Sequence, residues 1–207
     1  MAQNGTITRR SDGSEIELRA LAAADLPAVC RLHFAAFRIQ SSRRFLERAY
    51  YPTFLTPGST GFGVVAARAG ELAGFCVGTL DDGAYHRALL RRHPFECALA
   101  LLGKLRRGGR SDPRRAALRE ARLHYVAIAP AERGSGLGRR LLVETLRYVR
   151  DAGCTTCASR IYADNEASRR LNLSLGARLE LESRDALGPY AVYRFTLDRP
   201  PGEASSG

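Results

Sequence analysis

RGSGLGRR, residues 133–140, sets Gly134, Gly136 and Gly138 at alternate positions between arginines. Before it runs RLHYVAIAP (122–130), an apolar strand ended by Pro130. After it Leu137, Leu141, Leu142, Leu146 and Val149 recur at helical spacing as far as Gly153, a C-cap candidate. Strand, glycine turn and helix form the arrangement in which backbone N–H groups and a helix N-terminus converge on an anion. Glycine permits positive φ and removes the Cβ that would hold a ligand away. A phosphate is therefore the expected guest. Two familiar nucleotide loops fail on residue identity: G-x-G-x-x-G needs glycine where Arg139 stands, and a P-loop needs Gly-Lys-Ser/Thr, whereas the only lysine is Lys104. Taken alone, the stretch also fits a plain tight connection between strand and helix.

Outward from this turn the chain alternates strands and helices. Upstream, EIELRAL predicts a strand near Ile16 to Ala20, and Asp25 with Pro27 predicts a helix start with Asp25 as N-cap. A second helical stretch spans about Ser42 to Phe54, and a hairpin folds Phe62 to Arg68 against Leu72 to Leu80 around Ala69-Gly70. Residues 83–120 break the pattern and read as an insertion, with an amphipathic helix around Phe95 to Leu105 and a helix start at Asp112-Pro113. Downstream come the strand CASRIY, a helix from about Glu166 to Leu175 closed by Gly176, and strands near Ala177 to Leu181 and Ala191 to Leu197. Residues 1–14 and 199–207 read as disordered tails around one domain, 15–198.

The chain has 207 residues, 45% of them hydrophobic, enough for one ordinary core. No apolar run is long enough to span a bilayer and the first residues lack a signal-peptide core, so a cytoplasmic protein is expected. Five cysteines, including a lone Cys154-x-x-Cys157 pair, argue for packed thiols rather than disulfides, and no metal site is expected.

The residues around the glycine turn resemble the GNAT superfamily of N-acetyltransferases. Its signature, an apolar strand ending in Val-x-Pro and then Arg/Gln-x-x-Gly-x-Gly/Ala at a helix start, is matched by Ile128-Ala129-Pro130 and Arg133-Gly134-Ser135-Gly136-Leu137-Gly138. A second family block, a strand followed by Asn-x-x-Ala/Ser and then Leu-Gly near the helix end, is matched by Ile161 to Asn165, Ser168 and SLGA (174–177). The resemblance implies an α/β fold, a mixed and mostly antiparallel sheet of about seven strands flanked by helices, here with a basic insertion between strands 3 and 4. It implies acetyl-CoA as co-substrate. Val126 and Ile128 would pair with the pantetheine arm, and Arg133, Gly134, Ser135, Gly136, Leu137, Gly138 and Arg139 would surround the pyrophosphate. Asn165 and Ser168 would face the pantetheine and thiol end, although Asn165 also reads as a plain helix N-cap.

Acetyl transfer to an amine needs a base, oxyanion donors and a proton for the leaving thiolate. His124, four residues before Ile128, is the candidate base: one branch of the family carries a histidine there, and imidazole titrates in the right range. A histidine merely packed beside the sheet is the competing reading. The family often places a tyrosine seven residues after the Asn of its second block; here that position is Asn172, a catalytic candidate that can orient a thiol or a water but carries no transferable proton. Tyr125, Tyr162 and Tyr190 are alternatives by sequence proximity alone.

Formal charge is +11, and between Arg87 and Arg119 lie ten cationic side chains against Glu96 and Asp112. That excess favours a small anionic amine as acceptor, with an amino sugar as one example. Acetylation of a protein or charged tRNA amine, or a silent acyl-CoA sensor, are the other readings. The segment 94–107 could touch a membrane surface, and a homodimer is compatible with the sequence. The lack of aromatics in the arginine run after Phe95 speaks against single-stranded nucleic acid.

Overall fold

The computed structural model describes residues 16–37, 41–106, 120–185 and 187–197, with the backbone alone for 103–106. Both tails and the helix start expected at Asp112-Pro113 lie outside the described residues. The strands are β1 (Ile16–Ala20), β2 (Gly61–Arg68), β3 (Glu71–Thr79), β4 (Ala121–Ile128), β5 (Thr156–Tyr162), β6 (Arg178–Asp185) and β7 (Gly188–Thr196). They form one seven-stranded sheet in the order β1-β2-β3-β4-β5-β7-β6. Every neighbouring pair is antiparallel except β4 and β5. This is the GNAT-type mixed sheet implied by the resemblance.

Helices cover both faces. On one lies α6 (Leu137–Asp151), whose Leu137, Leu141, Leu142, Leu146 and Val149 are buried against Leu123, Cys157 and Phe195. The spacing that predicts this helix is thus the spacing of its buried stripe. On the other face lie α1 (Leu26–Ala36), α2 (Arg43–Phe45), α3 (Tyr51–Phe54) and α4 (Asp82–Arg92), followed by α5 (Pro94–Arg106). Leu46–Tyr50, between α2 and α3, is a π-helical turn, and Tyr50, Tyr51 and Phe54 pack there with Phe75 and Tyr85. The remaining helix, α7 (Glu166–Ser174), follows β5.

Three elements differ from the sequence reading. Asp25 does not cap α1: its carboxylate accepts from the Ala22 amide at 2.8 Å and pairs with Arg19 at 2.7 Å, closing a 3₁₀ turn (Ala23–Asp25) that precedes the helix. The hairpin of β6 and β7 extends to Asp185 and Gly188, well beyond Leu181; β6 is almost wholly exposed, and past Leu181 its residues are all polar, with no apolar alternation to mark its length. The segment after β3, read as an insertion, opens with a helix that belongs to the core. Asp81 caps α4 by accepting from the Ala84 amide at 2.8 Å, and Tyr85 and Leu89 are buried.

His33 of α1 carries a pH-linked part of the stability. It is 1% exposed, its Nδ1 lies 2.7 Å from the Tyr51 hydroxyl, and burial lowers its pKa from 6.5 to about 4. The folded state keeps the ring neutral across that window while the unfolded chain takes up a proton. Stability should therefore fall as pH drops from 6.5 towards 4, by about 3 kcal/mol from this residue alone. Urea midpoints measured across the window test this, and His33→Gln should flatten the dependence.

Candidate active site

The central strands pair and then part. β4 and β5 are in parallel register only over Ala121–Leu123 and Cys157–Ser159. Beyond this point β5 stays paired with β7 as far as Tyr162, opposite Tyr190, and β4 stays with β3 as far as Ile128, opposite Gly74. Residues 124–128 therefore line one side of a V-shaped cleft, and Val126 and Ile128 lie on its free stretch. An open strand edge in such a cleft can take an extended chain as an added strand.

At the apex β4 carries a bulge. Tyr125 pairs with Val77 and Leu123 with Gly78, so His124 is the extra residue. Its insertion breaks the alternation: Leu123 belongs to the α6 core, whereas the rings of both His124 and Tyr125 pack against Tyr50 on the opposite face. The bulge needs a close approach at Gly78, where a Cβ would stand 2.5 Å from the Arg122 carbonyl.

His124 sits within a buried polar chain. Asp82, at the start of α4 and 1% exposed, accepts from His124 Nε2 at 2.9 Å. The Tyr50 hydroxyl lies 2.7 Å from His124 Nδ1, and Thr79 Oγ1 lies 3.3 Å from Nε2 and donates to Asp82 Oδ1 at 3.4 Å. Burial works against ionising Asp82, but the hydrogen bond to His124 and the nearby His124, His86 and Arg122 charges outweigh it and hold the carboxyl below its usual range. Arg122 Nε lies 3.5 Å from Asp82 Oδ2. Burial lowers the pKa of His124, with the Asp82 hydrogen bond and charge opposing. The resting state is an ionised Asp82 beside a neutral His124. An ionised carboxylate can only accept, so the proton sits on Nε2, and Nδ1 accepts from Tyr50. Asp82 and Tyr50 were invisible to motif reading. The one signal available was DDG (81–83), a helix start directly after a strand.

At the mouth of the cleft the glycine turn joins β4 to α6. Gly134 and Gly136 both have φ +80, Gly136 is the left-handed N-cap of α6, and no protein atom lies within 4 Å of a Cβ built on either. Conformation alone demands glycine there, and the space in front is open. Gly138 is ordinary helix, where a Cβ would touch Ile128 and Leu171 at 3.6 Å. The Leu137 side chain is 1% exposed and anchors the turn in the core. The Ser135 hydroxyl donates to the Glu132 carbonyl at 2.7 Å, and the Glu132 carboxylate is tied to Arg68 at 2.8 Å. The Arg139 amide bonds to the Gly136 carbonyl at 3.1 Å, and its guanidinium reaches the Ser174 hydroxyl at 3.3 Å. Arg133 is exposed. This open, cation-flanked turn fits a pyrophosphate.

On the other side of the cleft Asn165 caps α7, its side chain accepting from the Ser168 amide at 3.1 Å. Asn172 is 3% exposed and donates from Nδ2 to the Ser168 carbonyl at 2.8 Å, leaving Oδ1 buried without a hydrogen-bond partner. A buried orphan acceptor is costly and fits a ligand N–H or S–H. Among the tyrosines, Tyr162 donates to Asp185 at 2.9 Å, Arg160 stacks over both Tyr162 and Tyr190, and Tyr125 packs on His33 and Phe37. Cys154 and Cys157 are free thiols whose pKa burial raises, and no metal-ligating cluster occurs among the described residues.

Comparison with known proteins agrees with this fold. Residues 26–177 match the model of the acetyltransferase (GNAT) family. A 54-residue stretch is 44% identical to a mycothiol acetyltransferase from Nocardiopsis dassonvillei, covering 26% of this chain and 16% of that protein. Among solved structures, the ribosomal-protein-S18-alanine N-acetyltransferase from Escherichia coli superposes with a TM-score of 0.60 at 16% identity, covering 93% of this chain and 98% of that one. An acetyltransferase from Salmonella typhimurium, determined with its cofactor acetyl-CoA, gives a TM-score of 0.60 at 18% identity over 93% and 99% of the two chains. These structural likenesses speak to the fold. Because the family match runs from α1 through α7 and so takes in both walls of the cleft, the chain belongs to the acetyltransferase (GNAT) family.

Proposed function

We propose that the chain acetylates the primary amine of a small anionic acceptor, with the Asp82–His124–Tyr50 chain taking up the amine proton. The observation that carries the reading is the position of this chain at the point where β4 and β5 part. Bound acetyl-CoA supplies the activated acyl carbon. The turn at Gly134, Gly136 and Gly138 holds its pyrophosphate, with Ser135, Leu137 and Arg139 shaping the turn and Arg133 adding positive charge. The edge of β4 at Val126 and Ile128 pairs with the pantetheine arm. Asn165 and Ser168 form the far wall.

A primary amine arrives as an ammonium and must lose a proton before attack. Both nitrogens of His124 have partners, so the acceptor need not touch the ring. The Tyr50 hydroxyl takes a proton from the amine as it gives its own to Nδ1. The imidazolium so formed lies against the Asp82 carboxylate, which stabilises it. Asn172 cannot serve as the acid: it offers its orphan carbonyl to a ligand donor, and the leaving thiolate takes its proton from water.

The anionic character of the acceptor rests on the ten cations between Arg87 and Arg119. Arg160 is paired with Asp185 at 2.9 Å and Arg194 with Glu120 at 2.7 Å, so the excess positive charge is that of the sequence after β3. Thiol release measured over a panel of neutral, cationic and anionic primary amines tests this. Steady turnover with the highest kcat/KM on anionic amines is expected. Equal use of cationic amines, or turnover only on peptide N-termini, would contradict it.

A further inference from the structure

We infer that the outer face of α4 and α5 is a docking surface for an anionic membrane. α4 has two faces with different tasks. Asp82, Tyr85 and Leu89 point inward, while Arg87, Leu90 and Arg91, spaced i, i+3, i+4, point out. On α5, Phe95, Leu99 and Leu102 recur at i, i+4 and i+7 and are 63%, 46% and 54% exposed, and Leu101 beside them is 46% exposed. Leu90 of the preceding helix is likewise 58% exposed. Scattered exposed leucines need no explanation, but a contiguous row at helical spacing marks a contact surface.

Charge selects the occupant. Arg87, Arg91 and Arg92 are exposed on α4 around the exposed Leu90, and the chain as a whole carries a formal charge of +11. A second copy of this chain would bring the same positive charge and be repelled. A nucleic acid would satisfy the arginines but has no use for aliphatic side chains. Headgroup phosphates above an acyl region satisfy both, and apolar residues rimmed by arginine are the composition of an interfacial helix. Among the described residues no helix is long and apolar enough to cross a membrane, so the contact is peripheral. It draws on arginines that the acceptor reading also counts, but it is carried by a separate observation, the exposed apolar row of α5, and the residue of these helices placed in the active site, Asp82, lies on the inward face of α4.

Sedimentation of the full chain with phosphatidylcholine vesicles, with and without phosphatidylglycerol, tests the inference. Binding only to the anionic vesicles is expected. Both Phe95→Ser/Leu99→Ser/Leu102→Ser and Arg87→Gln/Arg91→Gln/Arg92→Gln should weaken it by about ten-fold or more, with unchanged circular dichroism and acetyl-CoA affinity as the control for folding. The chain has no tryptophan, so Phe95→Trp gives a single fluorophore whose emission should shift to the blue on anionic vesicles. Absence of binding, equal binding to both vesicle types, or an apolar variant that binds like the wild type would overturn the inference. So would a wild-type dimer that the apolar substitutions convert to monomer, which would assign the face to a second copy. Binding to an oligonucleotide that needs the arginines but not the apolar row, with no blue shift on vesicles, would assign it to nucleic acid.

Discussion

Gly136→Glu should abolish acetyl-CoA binding while leaving the chain folded. At φ +80 a side chain is strained, at a cost of about 1–2 kcal/mol. No protein atom lies within 4 Å of the new Cβ, so the carboxylate extends into the open space before the α6 N-terminus. There it would face the pyrophosphate of the proposed site. Like charges about 4 Å apart near a protein surface repel by about 4 kcal/mol, so affinity should fall on the order of 100-fold or more. Calorimetry of acetyl-CoA and CoA on wild type, Gly136→Ala and Gly136→Glu separates the causes. Alanine carries the strain without the charge and should lose far less. A glutamate variant that binds as well as wild type would remove the phosphate from this turn.

The second large effect concerns the buried polar chain. His124→Gln should lower kcat/KM on the order of 10²–10⁴-fold, the ordinary contribution of a general base, with little change in acetyl-CoA affinity. Asp82→Asn should act through the histidine. The Asp82 hydrogen bond and charge raise the pKa of His124 against burial, and the other groups around the ring are His86, Arg122, Thr79, Tyr50 and Tyr85. Without the carboxylate the imidazolium loses its partner. The acidic limb of the pH–kcat/KM profile should move to lower pH, and its plateau should fall because the proton acceptor is weaker. Tyr50→Phe should lower the plateau as well, by removing the hydroxyl next to Nδ1. If Asp82 only supported the fold, Asp82→Asn would reduce thermal stability and leave the limb in place. If His124→Gln retained full kcat/KM, the base reading would fall with both.

Much of the fold was legible because its signals are local. The α6 stripe, the hairpin around Ala69-Gly70 and the glycine turn each depend on spacing within a few residues, and each stands where the sequence puts it. β6 was not legible beyond Leu181, because an exposed strand has no buried side to write its period. The residues proposed for the cofactor side cluster around two helix starts, so a local motif could point to them. The proton-handling side was not legible. Tyr50 lies 74 positions from His124 and Asp82 lies 42 away, and their meeting depends on a bulge and on a helix that reads as the start of an insertion. Arg87, Arg91 and Arg92 drew attention to charge and hid Tyr85 and Leu89, which make α4 part of the core.

A crystal structure of the chain with acetyl-CoA tests the account most directly. It should show the pyrophosphate on the turn from Gly134 to Gly138, the pantetheine arm hydrogen-bonded along Val126 and Ile128, and the thioester at the apex of the cleft on the side reached by the Tyr50 hydroxyl. A pyrophosphate bound elsewhere, or a thioester separated from Tyr50 and His124 by the sheet, would contradict it.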